Sequence, residues 1–272
     1  MSDPADNTKA GTVYLPTNYL LAKNYSSDRI PKIAFCLFLF CGGCVALLWP
    51  ALTDSPESAR RMQCINNMKQ LGIAMHMFHD SNERFPGYDD PENPDHPLCS
   101  WRVQLLPFYE SNDVHERYDR TQSWNSTTNI ALEKDIWHYC KCPSNPDSTD
   151  NSNTETDYVT IVGPHCFSHE KGCTTLDDIS DGVSNTIMLV ESSDTGIHWM
   201  EPRDLKFEDA RIVEDDSTDI GIRSYHSGIV NVTFCDGIVK SISKDIDPKL
   251  LKALMTIDGG ESVESFFQQD ND

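Results

Sequence analysis

A run of twenty uncharged residues, 33–52, limits what this chain can fold into more than any other feature of its sequence. As a helix with a rise of about 1.5 Å per residue, the run is about 30 Å long, which matches the hydrocarbon core of a bilayer. It is apolar on every side, whereas a helix on a globular surface has a polar face. The sequence therefore predicts a transmembrane helix over residues 30–52. A cleaved signal peptide fits less well, because the 32-residue polar leader is long and Trp49-Pro50 is a poor cleavage site.

The charges that flank this run predict its orientation. Arg29 and Lys32 lie immediately before it, and basic residues beside a membrane helix favour the cytoplasmic side. We therefore expect residues 1–29 to form a cytoplasmic tail of a single-pass inner-membrane protein whose head is extracytoplasmic, in the periplasm. The ten cysteines of the chain agree with this topology: three lie within the apolar run, and an exported head can oxidise the other seven.

The acidity of the head bears on its partners. The formal net charge is −21; residues 1–52 carry +1 and the residues beyond them carry −22. A surface of this sign repels phosphate backbones, so we expect no nucleic-acid partner. A solvated acidic face is the simplest interpretation of this charge, although such a face also attracts divalent cations.

The sequence after the apolar run predicts an α+β head. A stalk helix is expected over 53–85, because apolar residues recur three or four positions apart at Ile65, Met68, Leu71, Met75 and Phe78. The head, 86–265, has short strand patterns at 158–162, 186–191, 229–234 and 238–242, without regular helices between them. The last two flank Asp236-Gly237, which suits a type I′ hairpin turn. These patterns favour a mostly antiparallel sheet over a doubly wound one. Residues 266–272 are expected to be a disordered tail.

Nine short blocks in the head carry a family resemblance. His226 is followed by nine residues and then by Asp236-Gly237. The other blocks, in order, lie at 59–64 with 67–70, 79–80 with 84–86, 101–102 with 106–107, 142–144, 158–164, 181–186 with 191, 199–205, and 254–256 with 258–261. Together they resemble the bacterial DUF1559 family, pilin-like proteins with a prepilin-type processing-associated H-X9-DG domain.

The resemblance implies a type IV pilin-like fold and kinship with the pseudopilins of type II secretion systems. In that fold, a long N-terminal helix spans the membrane and continues as a stalk packed on the sheet of the head. No catalytic activity is established for the family. The prepilin peptidase site is missing, however, because Asp28 stands where its Gly belongs and Ile33 where its Glu belongs. We therefore expect an anchored monomer or a weak homo-oligomer rather than a filament subunit.

The motif residues invite a catalytic interpretation, but a structural one is stronger. A strand between His226 and Asp236 would keep the two side chains apart, and no nucleophile is placed beside them. Gly237 tolerates a positive φ and Asp236 supports a turn. Asp181, Gly182 and Asn185 likewise have the chemistry of a turn. We predict structural roles for all six residues and no catalytic residue.

The head cysteines predict disulfides rather than a metal site. Cys166 and Cys173 are candidates for a local disulfide; with His165 and His169 they miss the paired spacing of zinc sites. By the resemblance, Cys64 lies on the stalk helix and Cys142 lies before Pro143, so a Cys64–Cys142 bridge would join helix and head. Cys99 is left to pair with Cys140 or Cys235.

A polar loop is the one candidate for a cofactor. Asn151, Asn153, Glu155 and Asp157 alternate oxygen-bearing side chains, and pseudopilins often have a calcium-bound loop. The glycine and the final glutamate of an EF-hand loop are absent, so a solvated loop is the stronger interpretation. We expect no cofactor, with calcium as the alternative.

The sequence as a whole favours a non-enzymatic, membrane-anchored pseudopilin-like protein. Its head would act in a cell-envelope or secretion-associated assembly through contacts with other envelope or secretion proteins. One alternative is an envelope substrate- or carbohydrate-binding module that uses exposed aromatic residues, for which the candidates are Trp101, Trp124, Trp137 and Trp199. The other is a hydrolase with an unrecognised acidic site, which would show carboxylates of raised pKa in a cleft.

Overall fold

The structure, a computed structural model, describes residues 29–89, 93–108, 112–135, 139–150, 153–170, 172, 174–214, 217–261 and 263, with side chains from residue 56 onward. The chain divides into two compact units, Met1–Thr53 and Asp54–Asp272. The predicted tails, 1–29 and 266–272, lie outside the described residues except for Arg29, which is the first residue of a helix. The side chains of the predicted transmembrane segment also lie outside the described part of the chain. In the described part of the chain, no helix is both long enough and apolar enough to cross a membrane.

The described elements are one long helix, several short helices and six strands. The α-helices are α1 (Arg29–Asn82), α2 (Trp101–Gln104), α3 (Asn112–Arg117), α4 (Thr127–Ile130) and α5 (Pro248–Ala253). Short 3₁₀ helices occupy Leu106–Phe108, Pro146–Thr149 and Leu176–Asp178. The strands are β1 (Tyr158–Val159), β2 (Ile161–Val162), β3 (Ile187–Glu191), β4 (Leu205–Lys206), β5 (Ile229–Phe234) and β6 (Val239–Ser243).

The strands form an antiparallel sheet in the order β1-β3-β5-β6 and a separate parallel pair, β2 with β4. The prediction of an α+β fold with an antiparallel sheet is confirmed. The single strand predicted over 158–162 is wrong, because it divides between the two sheets. The division falls at Thr160, whose backbone N–H donates to a carboxylate oxygen of Asp204, 3.1 Å away, rather than to a neighbouring strand.

The predicted hairpin of β5 and β6 is confirmed, but its turn differs from the prediction. A type I′ turn needs positive φ at two successive residues. Here Gly237 has φ of +82°, whereas Asp236 is not in the positive region. Phe234 N–H donates to Ile238 O, so the loop has three residues and ends in a left-handed glycine. Asp236 stabilises it by accepting from Ile238 N–H at 2.9 Å.

The apolar stripe of α1 packs against the sheet of the head. Met68, Leu71, Met75 and Phe78 are buried, and Ile65 is half-buried. Each buried side chain of this size contributes about 1.5–3 kcal/mol. Gly72 allows the close approach of helix and sheet, because a Cβ at this position would lie 3.1 Å from the Thr233 methyl group of β5. The helix ends at Asn82, a little before the predicted end at residue 85.

A buried ion pair joins the segments beside this core. Arg102 of α2 and Asp204 are buried and paired. Asp204 also accepts hydrogen bonds from Tyr88 Oη at 2.8 Å and from Trp101 Nε1 at 2.9 Å. Arg102 donates to the backbone oxygen of Tyr158 at 2.7 Å. One carboxylate thus organises four segments that are distant in sequence.

We expect Asp204→Asn to lower the free energy of unfolding by about 3–5 kcal/mol, because it leaves the Arg102 guanidinium buried without a counter-charge. The matched control is Asp219→Asn. It removes an exposed ion pair with Arg211, whose atoms are 3.0 Å apart, and should cost less than about 1 kcal/mol. Urea denaturation of both variants measures the difference. An equal decrease in the free energy of unfolding in both variants would show that the buried ion pair stabilises the fold no more than the exposed one does.

Candidate functional site

Four ionisable side chains from four separate segments meet inside the head. They are Cys64 of α1, Cys142 of the loop before Pro146–Thr149, Glu191 at the end of β3, and His226 just before β5. One donor atom from each lies within 4.8 Å of the corresponding atoms of the other three. All four side chains are at most 1% exposed. We call this group the Cys₂GluHis cluster.

Backbone and side-chain hydrogen bonds hold the cysteines in place. Cys142 N–H donates to Asp157 at 2.7 Å, and the other oxygen of Asp157 accepts from Asn145 Nδ2 at 2.9 Å. Cys64 Sγ accepts from Tyr158 Oη at 3.4 Å and from Asn231 Nδ2 at 3.6 Å. Both sulfurs therefore face the interior of the cluster from fixed directions.

The imidazole of His226 lies between two carboxylates. Its Nδ1 is 2.8 Å from Glu57 Oε1 on α1. Its Nε2 is 3.4 Å from Cys142 Sγ and 3.5 Å from Glu191 Oε1. Glu57 is held in turn by Ser144 Oγ at 3.0 Å and by Arg60 Nε at 2.9 Å. Glu57 thus orients the ring so that Nε2 points into the cluster.

One oxygen of Glu191 makes no hydrogen bond of normal geometry among the described residues, although His226 Nε2 lies 3.5 Å from it. Oε2 accepts from the backbone N–H of Asn231 at 3.3 Å and from its side-chain amide at 3.0 Å. Oε1 is buried and accepts no hydrogen bond. A buried carboxylate oxygen without a donor is costly, so its position needs an explanation.

Burial and mutual contact shift the pKa values of the cluster. Burial raises the pKa of Glu191, and the charge of His226 only partly opposes this effect. Burial lowers the pKa of His226, but the Cys64 thiol and the Glu191 charge outweigh it and raise the pKa to about 9. A hydrogen bond between the two thiols lowers the pKa of Cys64 and raises that of Cys142. The protonation of each of these four groups therefore depends on the other three.

The predicted cysteine pairs have different outcomes. Cys64 and Cys142 lie together in the Cys₂GluHis cluster as free thiols, and the covalent bond between them stays a prediction. Cys166 is a buried free thiol, and Cys173 lies outside the described residues. His165 pairs with Asp258 at the surface, and His169 Nδ1 lies 3.1 Å from Gly163 O. Cys140 and Cys235 are buried free thiols in different apolar clusters.

The predicted calcium ligands have protein partners. Asn153 Oδ1 accepts from Lys141 Nζ at 3.0 Å and from Glu155 N–H at 3.0 Å. The buried carboxylate of Asp157 fixes the Cys142 loop, as described above. Asn151 lies outside the described residues. The calcium hypothesis therefore gains no support from Asn153 or Asp157.

The motif residues fasten the chain locally. His226 and Asp236 lie at opposite ends of β5, as expected from their spacing. Gly182 has φ of +94°, and Asn185 Nδ2 donates to Asp181 O at 2.9 Å, which closes the turn. The Asp181 carboxylate accepts from the backbone N–H of Gly259 at 2.8 Å and of Gly260 at 2.9 Å. This turn thus ties down the C-terminal segment of the head.

From the sequence, a structural role was predicted for His226 and a disulfide for the two cysteines. No functional role was predicted for Glu57 or Glu191. One signal for Glu191 was present: it follows four apolar residues in a strand that is buried on both faces. An acidic residue is rarely fully buried without a partner. For Glu57 no signal existed, because its contact with His226 joins residues 169 positions apart.

Comparison with known proteins gives one match. A family model described as "Protein of unknown function (DUF1559)" matches residues 56–220. Cys64, Cys142 and Glu191 lie within the matched region, whereas His226 and Asp236 follow it. No curated protein and no solved structure matches the chain significantly.

We expect Asp181→Asn to loosen the C-terminal segment, because an amide offers only one acceptor atom to the two backbone N–H groups. Amide hydrogen exchange should become faster at Gly259 and Gly260, and the free energy of unfolding should fall by about 1–2 kcal/mol. The control is Asp177→Asn at a neighbouring exposed position. Unchanged exchange at both glycines in the Asp181 variant would contradict the fastening role.

Proposed function

The chain belongs to the DUF1559 family, and on this premise we propose that it is a non-enzymatic, membrane-anchored pseudopilin-like protein. Its extracytoplasmic head acts in a cell-envelope or secretion-associated assembly through contacts with other proteins. The observation that carries the proposal is α1: it begins at Arg29, contains the uncharged run 33–52, and packs its later residues on an antiparallel sheet. This order of anchor, stalk and sheet is the one that the pilin-like resemblance implies.

The side of α1 that faces away from the head supports protein contacts. Met62, Ile73 and Met77 are 55%, 59% and 46% exposed. At about 100° per residue, these three positions lie within about 60° of one another around the helix. Single exposed apolar residues are normal, but a row on one helix face is typical of a surface that meets another protein.

The two alternative functions gain less support. Of the aromatic residues proposed to bind carbohydrate, Trp101 and Trp199 are buried in the core, so the expectation that they are exposed is wrong. Trp124 is half-buried, and Trp137 lies outside the described residues. A surface depression of about 800 Å³ has Tyr225 as the only aromatic side chain among its described lining residues. A single tyrosine offers a sugar less stacking surface than the several exposed tryptophans that this function was expected to use.

A hydrolase would need ionisable carboxylates that a substrate can reach. Burial raises the pKa of Asp157 to about 6, and it also raises that of Glu191. Both side chains are fully buried rather than placed in a cleft. Neither carboxylate therefore has the access to substrate that general acid–base catalysis requires.

Membrane fractionation tests the proposal. The full chain, produced in a bacterial host, should stay in the membrane pellet after alkaline carbonate extraction, and protease added to spheroplasts should digest its head. The control is the chain from residue 54 onward, secreted with a cleavable signal peptide, which should remain in the supernatant. A full chain extracted by carbonate, or a head protected from protease, would contradict the proposed anchoring or topology.

A further inference from the structure

We propose that the Cys₂GluHis cluster binds one Zn²⁺ ion through Cys64 Sγ, Cys142 Sγ, Glu191 Oε1 and His226 Nε2. The inference goes beyond the proposed function and does not depend on membrane anchoring, because all four residues belong to the unit Asp54–Asp272. It also replaces the predicted Cys64–Cys142 disulfide, since both sulfurs are needed as thiolates.

The donor set and its spacing fit zinc. Thiolate sulfur, imidazole nitrogen and carboxylate oxygen are the zinc ligands of proteins, and structural sites have four of them. In a tetrahedral site with Zn–S bonds of about 2.3 Å and Zn–N or Zn–O bonds of about 2.0–2.1 Å, donor atoms are about 3.3–3.8 Å apart. His226 Nε2 is 3.4 Å from Cys142 Sγ and 3.5 Å from Glu191 Oε1. The remaining pairs are within 4.8 Å, so only a small contraction is required.

The ion explains the Glu191 oxygen that makes no normal hydrogen bond. Oε1 is buried, makes no hydrogen bond of normal geometry among the described residues and lies 3.5 Å from His226 Nε2, on the side of the cluster. A cation at the centre of the cluster satisfies this oxygen. Its two positive charges also offset most of the negative charge of two thiolates and one carboxylate in a place that water does not reach.

Glu57 completes the arrangement around His226. A zinc-bound histidine usually donates its other ring N–H to a carboxylate, which fixes the tautomer and the orientation of the ring. Glu57 Oε1 lies 2.8 Å from Nδ1, on the side opposite the cluster. Nδ1–H therefore donates to Glu57 and leaves the Nε2 lone pair for the metal. Glu57 is a positioning residue and not a ligand.

The site is closed and therefore structural. Four protein donors, each at most 1% exposed, leave no coordination position for water or substrate. The ion joins α1, the Cys142 loop, the end of β3 and the residue before β5. Coordination releases to solvent the protons held by the two cysteines and by His226 Nε2, and it requires no oxidant. Zinc thus fastens the stalk helix to the sheet of the head.

The test is the metal content of the full chain, purified in detergent without chelator and measured by inductively coupled plasma mass spectrometry. We expect about one zinc per chain in the native protein. Cys142→Ser and His226→Ala should each reduce the content at least about tenfold. The matched control is Cys140→Ser, a buried cysteine two positions from Cys142 that lies outside the cluster; it should retain its zinc.

A second measurement uses the protein without substitutions, so the proposal can be tested even if the variants do not fold. Metal-free protein with reduced thiols is titrated with Co²⁺ and then with Zn²⁺. Cobalt should give thiolate charge-transfer bands and the strong visible bands of a tetrahedral site, and zinc should displace it with a Kd below about 100 nM. Glu57→Gln should bind zinc about tenfold more weakly, while retaining the tetrahedral cobalt spectrum.

Three results would overturn the proposal. The first is purified protein without metal in which peptide mapping finds Cys64 and Cys142 joined by a disulfide. The second is stoichiometric iron in place of zinc. The third is reduced protein that gives no tetrahedral cobalt spectrum and does not bind zinc.

Discussion

Charged and ionisable side chains that are buried must be neutralised by other groups of the protein or by a bound ion. This requirement determines how α1 packs on the head. Taking one ion out of water costs several kcal/mol even in a relaxed protein. Glu191 and His226 are buried together with two thiols, and their donors come from four segments. These side chains find their partners only when the helix, the loop and the sheet are all folded. The buried charges of the cluster are therefore neutralised only after the helix has packed on the sheet.

A second buried polar centre is connected to the first through one tyrosine. The backbone oxygen of Tyr158 accepts from Arg102, which pairs with Asp204. The hydroxyl of the same tyrosine donates to Cys64 Sγ at 3.4 Å. Tyr158 is fully buried in β1, at the edge of the antiparallel sheet. The Arg102–Asp204 pair and the Cys₂GluHis cluster are therefore both hydrogen-bonded to one buried residue, the pair to its backbone and the cluster to its side chain.

The H-X9-DG motif has a simple physical interpretation in this fold. His226 lies just before β5, and Asp236-Gly237 forms the turn just after it. The nine intervening residues contain the strand, so the spacing records the length of β5. The motif thus fixes the distance between a residue of the buried cluster and the turn that pairs β5 with β6. This accounts for the spacing of His226 and Asp236, which lie at opposite ends of β5.

Local patterns in the sequence predicted the structural features that depend on residues close together in the chain. The three-to-four spacing from Met68 to Phe78 predicted the buried face of α1, and strand alternation around Asp236-Gly237 predicted the hairpin. The type of turn was missed, because the Asp236 side chain stabilises a three-residue loop instead.

Local sequence patterns did not predict contacts between distant residues, and only the family resemblance brought Cys64 and Cys142 together. Thr160 divides a predicted strand because its N–H binds Asp204, 44 positions away. Trp101 and Trp199 were expected at the surface, yet Trp101 Nε1 donates to Asp204 and Trp199 Nε1 donates to Glu133 O, which allows both rings to be buried. The cluster itself combines residues 64, 142, 191 and 226, which no spacing rule for zinc sites would select.

Anomalous X-ray scattering at the zinc absorption edge, from crystals of the protein purified without added metal, tests the central claim most directly. We predict one anomalous peak per chain, about 2.0–2.3 Å from Cys64 Sγ, Cys142 Sγ, His226 Nε2 and Glu191 Oε1. The absence of a peak, together with continuous density between the two sulfurs at a separation of about 2.05 Å, would contradict it and establish a disulfide as the bond between helix and head.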